Sequence, residues 1–464
     1  MLATLRNRRF RLLLLGLILL VEIPGFFLIL VTPIVHSRRL PDDFVYYVQA
    51  SQMLAQGDDP YQGWLHDPTV DRSRVAGYIY PPLLAWTMQP LLPFLDLPPL
   101  QRHPNRLQVH DHYGEILGGT WARAKALEVG LILSQLVSLA VFTVAIVRSL
   151  RDRSLDMGLF VVALTVGFFP VQQNFSWGQI NLLLLALGGL WYHAWSRGDS
   201  WRGGAALGLA TALKLIQAPV LLLLVGSRRW RTVIGALTAI AAGSLVAAPQ
   251  YLLEYYTKVL PQLGLGTGFA GNVAPLGTIA RLVEPRSALI GHTQITPGVR
   301  FAALVVGLAV IAGTATAIFR ARRRGGSDPT LEAAAVLSAV PLIATIDWPA
   351  HLALELLPIL ILFDLGLQAR RTGLMVAVLV SWLIMGPVQG ALWADSGERP
   401  GQGTRLIVMF PEVVPAALWL LWGCGMWALL VDFQANASRR LRLLADGPAA
   451  MAPTGLVRAG RPAD

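Results

Sequence analysis

Two adjacent carboxylates, Asp42 and Asp43, follow Pro41 just after the first long apolar stretch of the chain. The segment continues Phe44-Val45-Tyr46-Tyr47, then Ala50, then Gly57-Asp58-Asp59-Pro60-Tyr61. An ionised carboxylate within hydrogen-bond reach of a hydroxyl can take its proton as that oxygen forms a new bond. Aromatic neighbours can pack against a sugar or a lipid head group. An Asp after Pro also reads as a helix N-cap, its oxygen accepting a backbone N–H and its charge favoured by the helix dipole. One of the pair can cap while the other works as a base.

Lys214 is a lone cation in the apolar run Ala210-Thr211-Ala212-Leu213-Lys214-Leu215-Ile216, with Pro219 following. An ionisable group in such a run is costly unless it has a partner or snorkels to an interface. A phosphate is the natural partner for an ammonium point charge. Asp347, Trp348 and His351 form another group, in which His351 either pairs with Glu355 one helical turn on or donates to a phosphate or a sugar hydroxyl; Trp348 doubles as a membrane-belt aromatic. In Trp177-Gly178-Gln179-Ile180-Asn181, Gln179 and Asn181 can bind other helices or line a cavity. Asn272 and Arg281 belong to a segment that could fold over a bound phosphate. The nearby Gly264, Gly266, Gly268 and Gly271 mimic a dinucleotide loop, but no strand or βαβ pattern surrounds them. Asn174-Phe175-Ser176 fits a glycosylation sequon and is set aside as a chance match.

The elements that must position these residues are apolar. Hydrophobic residues make up 54% of the chain and charged ones 14%, with mean hydropathy +0.54, against about 25% charged in a soluble domain. The class is all-α polytopic membrane protein. The net charge of +11 comes from Arg clusters between apolar runs, which suits loops facing anionic lipid and argues against nucleic acid as a partner. Cys424 is the lone cysteine and sits in an apolar run, so no intramolecular disulfide and no Cys-based metal site is expected. At about 20 apolar residues per crossing, spans are expected near 11–35, 124–147, 155–172, 180–196, 232–252, 300–320, 330–347, 350–367, 372–392 and 412–433. The first is read as a retained helix rather than a cleaved signal. The Arg clusters at the N-terminus, 148–153, 197–202, 228–231, 320–324, 370–371 and 439–442 then share the cytoplasmic side if two segments do not cross. Tyr78 to Phe94 would lie on the outer surface. Residues 203–225 would dip in and return as two half-helices broken near Lys214 to Pro219, which requires a polar cavity to cover the break. Residues 1–434 form one domain with outer loops at about 36–123, 253–299 and 393–410; 435–464 is a basic, disordered cytoplasmic tail.

Together these motifs resemble glycosyltransferase family 87, the polyprenol-phosphate-mannose-dependent mannosyltransferases of the C-type superfamily of membrane glycosyltransferases. The resemblance rests on Asp43-Phe44 with Tyr47 and Ala50, Gly57-Asp58-Asp59-Pro60-Tyr61, Tyr80-Pro81-Pro82-Leu83, Gly178-Gln179-Ile180-Asn181, Gly208 with Lys214 and Pro219, Asn272 with Arg281, and Trp348 with His351. It implies a C-type fold with ten to twelve membrane helices plus re-entrant and surface-lying helices, and Asp43 rather than Asp42 as the base. It implies substrate contacts from Asp42, Tyr47, Asp59, Tyr80, Gln179, Asn181, Lys214, Asn272, Arg281, Trp348 and His351. The donor would be a polyprenyl-phosphate-linked sugar and the acceptor a glycolipid or glycan, with transfer on the outer face of what would be a bacterial plasma membrane. Ala274 stands where the pattern has Ser, Asp347 replaces a small polar residue, and Gln101 to Trp121 reads as an insertion.

The expected chemistry is an inverting single displacement, with Asp43 as base and Lys214, His351 and Arg281 on the departing phosphate. Side-chain cations supply the positive charge, so no metal and no cofactor is expected. Membrane lipid surrounds the chain, the lipid tail of the donor lying in a groove between helices. The alternatives are a flippase or transporter for lipid-linked saccharides, whose Lys214 and Gln179 would line a path, and an oligosaccharide polymerase or ligase using diphospho-lipid donors. The absence of two repeated halves disfavours the transporter.

Overall fold

The computed structural model describes residues 8–36, 40–61, 78–95, 121–288, 295–324, 328–394 and 409–431, and every regular element among them is helical. The expected insertion at 101–120, most of the 393–410 loop and the tail from 432 lie outside these residues. Among the described residues, six helices are long and apolar enough to cross a membrane, or up to eight if each of two bent pairs is one span. The sequence expectation of ten to twelve counted shorter apolar pieces as crossings.

The long apolar helices are α1 (Arg8–His36), α4 (Trp121–Val147), α12 (Pro297–Arg323) and α16 (Val413–Leu430). Leu20 and Val21 on α1, Leu133 and Val137 on α4, and Phe301 and Leu304 on α12 are more than half exposed, an inside-out pattern that suits contact with lipid tails. The interior is held by α7 (Asn181–Trp195), α13 (Pro329–Ile343) and α14 (Leu356–Gln368). In the span Pro349–Gln368 nearly every residue is buried, and apart from His351, Glu355, Asp364 and Gln368 its sequence is apolar.

Several expected spans are broken, each at an identifiable residue. Residues 155–172 divide into α5 (Leu155–Val166) and α6 (Phe169–Trp177), bent by 53° where Pro170 cannot continue the helix from Val166. Residues 232–252 do not form one span. Instead α10 (Trp230–Val246) stops before Ala248, whose φ of 48° is left-handed, and the chain turns by 105° into Pro249–Leu263. The 203–225 segment does break where expected: α8 (Trp201–Leu213) ends, Lys214 is extended (φ −158°, ψ 124°), a 3-10 turn covers Leu215–Gln217, and α9 (Val220–Gly226) follows. The Pro219 ring would clash with the Leu215 carbonyl in a continuous helix. Two segments read as outer loops carry helices of their own, α2 (Asp42–Ala55) and α3 (Pro82–Met88) in the first, and α11 (Pro275–Val283) in the second.

Helices α8 and α10 approach until their backbones touch. A Cβ on Gly204 would lie 1.9 Å from the Thr232 carbonyl oxygen and one on Gly208 2.2 Å from that of Ala236, so the Gly204-x-x-x-Gly208 face admits no side chain. The two helices run parallel, and their N-terminal ends are tied by Asp199, whose carboxylate accepts the Arg231 and Thr232 amides and the Thr232 hydroxyl. Slight burial pushes the Asp199 carboxyl up, but these hydrogen bonds outweigh it and hold it below the ordinary range.

Among the described residues, the basic clusters at 148–153, 228–231 and 320–324 meet at one end of the bundle. Arg229 donates to the carbonyls of Trp195 and Gly198, Arg322 to that of Gly226 and to Glu332, and Arg151 pairs with Asp328. Trp195 ends α7 and Asn181 begins it, so this basic end lies about 21 Å along the helix from Asn181.

Candidate active site

Gly178 brings the first pair of site residues together. It caps α6 in the left-handed conformation (φ 68°), and a Cβ there would lie 2.7 Å from Pro41 Cβ and 2.9 Å from Phe44 Cβ. Only glycine satisfies both demands. The start of α2 therefore lies against the turn between α6 and α7, and Gln179 Nε2 donates to Asp43 Oδ2 at 2.6 Å.

From that bond a chain runs through the site. Asn181 Nδ2 donates to Gln179 Oε1, Lys214 Nζ donates to Asn181 Oδ1 at 2.9 Å, and Lys214 Nζ reaches His351 Nε2, also at 2.9 Å. His351 Nδ1 lies 3.1 Å from Asp347 Oδ1. An ammonium has only protons to give, so Nε2 accepts and the ring proton sits on Nδ1, directed at Asp347. The Trp348 amide is 3.3 Å from the same Nδ1. A donating nitrogen cannot also accept, so the Asp347 contact takes precedence. Every amide in the chain is then oriented by Lys214, with one cation in the middle and a carboxylate at each end. Such aligned bonds polarise one another. His351 does not pair with Glu355 as the helical spacing suggested. Residues 349–355 form a 3-10 turn, which moves Glu355 off the face that His351 occupies.

A second set of bonds fixes the far end. Asn272 Nδ2 donates to the carbonyls of Thr267 and Thr345, while its Oδ1 accepts the amides of Ala274 and Asp347. The side chain is saturated and clamps the 267–274 loop to the segment before His351. Arg281 donates to the Asn272 and Phe269 carbonyls, to Thr278 Oγ1 and, at 2.7 Å, to Glu412 Oε1. Four of the five guanidinium protons thus meet protein acceptors.

Tyr80 forms the floor, with Lys214 Nζ 5.0 Å above its ring centre and the Tyr47 ring edge-on at 5.3 Å. The Tyr61 hydroxyl donates to the Tyr80 carbonyl and so ties the end of the α2 segment to this floor. Asp59 accepts the Tyr61 amide at 2.9 Å, a local turn contact. Trp348 is half-buried with its ring 6.1 Å from that of Phe269. Asp42 is the first residue of α2, and Pro41 rather than an Asp holds the N-cap position. Asp43 is half-buried, whereas Asp347 is 1% exposed. The sequon residue Asn174 is fully buried and donates to the Pro170 and Ala350 carbonyls, which leaves no room for a glycan.

Two positioning residues escaped the sequence reading. Asn174 holds the Ala350 carbonyl next to His351, and Gln135 on α4 donates to the Asn174 and Gln179 carbonyls. The signal for Gln135 was present, an uncharged polar side chain in the middle of an apolar helix.

The model of glycosyltransferase family 87 matches residues 78–346. That range holds Tyr80, Gln179, Asn181, Lys214, Asn272 and Arg281; Asp43 precedes it and Asp347 follows it. A polyprenol-phosphate-mannose-dependent alpha-(1-2)-phosphatidylinositol mannoside mannosyltransferase of Mycobacterium tuberculosis is 29% identical over 345 residues, covering 70% of this chain and 74% of the relative. A phosphatidylinositol pentamannoside mannosyltransferase of the same species, also named as polyprenol-phosphate-mannose-dependent, is 29% identical over 58% of this chain and 61% of its own length. A phosphatidylinositol mannoside mannosyltransferase of Mycolicibacterium smegmatis is 31% identical over 44% of this chain and 46% of its own length.

Proposed function

The chain belongs to glycosyltransferase family 87 and is a membrane glycosyltransferase, and on that premise we propose that it moves mannose from a polyprenol-phosphate donor to a phosphatidylinositol-mannoside-type glycolipid. The donor and acceptor classes follow the names of the relatives. The observation that carries the mechanism is the unbroken chain Asp43, Gln179, Asn181, Lys214, His351. It joins a half-buried carboxylate, suited to an incoming hydroxyl, to a buried cation suited to a departing phosphate.

In this reading the acceptor hydroxyl attacks the anomeric carbon and gives its proton to Asp43, while the bond to the lipid phosphate breaks. Asp43 touches the acceptor rather than the sugar carbon, so the displacement is single and the anomeric centre inverts. The second carboxylate, Asp347, sits behind His351 and is nearly inaccessible, which argues against a covalent sugar intermediate. The charge on the leaving phosphate is met by Lys214 and, through its ring, by His351. Tyr80 would give the sugar an aromatic floor backed by the fully buried Tyr47, with the half-buried Trp348 as a further aromatic contact. Asn272 and Arg281, whose polar atoms are engaged by protein groups, serve by holding Asp347 and the 267–274 loop. Asp42 and Asp59 are kept as acceptor contacts.

The fold proposed with it is the C-type one, with about ten to twelve transmembrane helices plus re-entrant and surface-lying helices. The basic end would face the cytoplasm and the site the opposite surface of the plasma membrane, about the length of α7 away. The deciding experiment uses protein in lipid nanodiscs with polyprenyl-phosphate mannose and a phosphatidylinositol mannoside. Acceptor-dependent release of polyprenyl phosphate, with the glycolipid gaining one hexose, is the expected result. Movement of the intact donor across a bilayer without hydrolysis or transfer would instead establish a flippase.

A further inference from the structure

Behind the Asp347–His351 pair lies a cavity of ≈ 20 Å³, large enough for one buried water. Its walls are mostly aliphatic, yet Gln217, Asp347, His351 and Glu355 all reach it. Two of these are incompletely satisfied. Gln217 donates to the Leu184 carbonyl at 3.1 Å while its Oε1 has no partner, and Glu355 Oε2 has none either. Both residues are nearly sealed from solvent, at 5% and 4% exposure. Buried oxygens are rarely left without a donor, and a water has two protons to give.

The two residues come from the two irregular segments that carry the central pair of the site. Gln217 ends the 3-10 turn that follows Lys214, and Glu355 ends the 3-10 turn that contains His351. Neither turn has the hydrogen-bond ladder of a long helix to fix its position. Lys214 and His351 nevertheless meet at 2.9 Å.

We propose that this cavity holds a water donating to Gln217 Oε1 and Glu355 Oε2, and that the bridge locks the two turns together so that Lys214 and His351 keep their contact. Glu355 and Gln217 are positioning residues, acting through Lys214 and His351 without touching substrate. The bridge itself is independent of the reaction; its consequence for transfer rests on the proposed role of Lys214 and His351 at the phosphate.

The test reads the tautomer of His351 in protein labelled with 15N-histidine and held in nanodiscs. The chain has 8 histidines, and the His351 signal is assigned by its loss in His351→Gln. In the native protein its two nitrogens should be distinct, Nδ1 protonated and Nε2 not. Glu355→Gln keeps an oxygen for the water and should leave the pattern in place. Gln217→Leu and Glu355→Leu expel the water, and the two shifts should move together as the Lys214 contact loosens. Should Glu355→Leu fail to fold, Gln217→Leu decides alone. An unaltered His351 spectrum in a folded Gln217→Leu protein overturns the bridge. Transfer measured on the same samples should show kcat reduced by up to roughly a hundredfold, the usual consequence of a misplaced group. A changed tautomer with undiminished transfer would uphold the bridge and remove Lys214 and His351 from the reaction.

Discussion

Gln179 donates to Asp43 at 2.6 Å although 136 positions separate them in the sequence. The bond forms because Gly178 lets the turn after α6 close onto Pro41 and Phe44. Gln179 in turn takes its orientation from Asn181, and Asn181 from Lys214. The carboxylate proposed as base and the cation proposed for the phosphate are thus set by one another.

Asp43→Asn is expected to lower transfer by about a hundredfold to ten-thousandfold, the range for loss of a general base. Size and the contact with Gln179 survive, so donor binding and thermal stability should change little. Asp42→Asn should cost far less. Turnover assays on both proteins, with donor affinity measured separately, check this; full activity in both variants would exclude the proposed base.

Lys214→Met should weaken binding of polyprenyl phosphate about tenfold to a hundredfold, since a charge-assisted contact contributes roughly 1.5–3 kcal/mol. Lys214→Arg should keep part of the affinity. Titration of the lipid phosphate into the protein in nanodiscs measures it. Undiminished affinity in Lys214→Met would leave the ammonium a structural role, orienting Asn181 and His351.

The helical class, the break at Lys214 and the members of the chain were legible because each leaves a mark in one stretch of sequence: apolar runs, a lone cation before Pro219, polar residues beside Gly178. What could not be read was how the stretches meet. The His351–Glu355 pairing failed because helical spacing was applied to residues that form a 3-10 turn. Arg281 reads in the sequence as a phosphate ligand, and the acceptors it meets here, carbonyls of Phe269 and Asn272 and a carboxylate 131 residues away, could not be read from it. Backbone carbonyls carry no sequence signature. Length and composition mark six spans, or eight with the bent pairs, among the described residues, and the ten to twelve expected take in shorter apolar helices such as α13, whose sequence alone does not say whether they cross.

Asn272→Ala removes a side chain that satisfies two amides and two carbonyls. Unpaired buried groups cost about 1–3 kcal/mol each, so a clear drop in thermal stability is expected. Arg281→Gln should likewise lower stability and kcat while leaving donor affinity near the native value. The reverse pattern, weakened donor binding with unchanged melting, would show that Arg281 contacts phosphate directly.

Gly178→Ala tests the contact that opens the site. A methyl group there meets Pro41 and Phe44 Cβ below 3.0 Å and occupies a left-handed residue, a combination expected to cost at least about 1 kcal/mol. The start of α2 should be pushed away, and transfer should fall because Asp43 loses Gln179. Gln179→Ala should reproduce the loss of transfer with a smaller effect on stability. A Gly178→Ala enzyme with native melting and native turnover would contradict the close approach.

The orientation of the site follows from α7. Asn181 opens this helix within the hydrogen-bonded chain, and Trp195 closes it under Arg229, about 21 Å away. That separation is about two-thirds of a bilayer's hydrocarbon core of about 30 Å, enough to set the two ends toward opposite faces. Positive residues gather on the cytoplasmic side, so the site end should face outward. Cysteines placed at two exposed positions, Gln56 after α2 and Ser196 after α7, report each end in a Cys424→Ala background. In intact cells a membrane-impermeant thiol reagent should modify Gln56→Cys, and Ser196→Cys should react only after the membrane is opened. Labelling of Ser196→Cys in intact cells, with Gln56→Cys protected, would turn the protein over and require a donor presented from the cytoplasm.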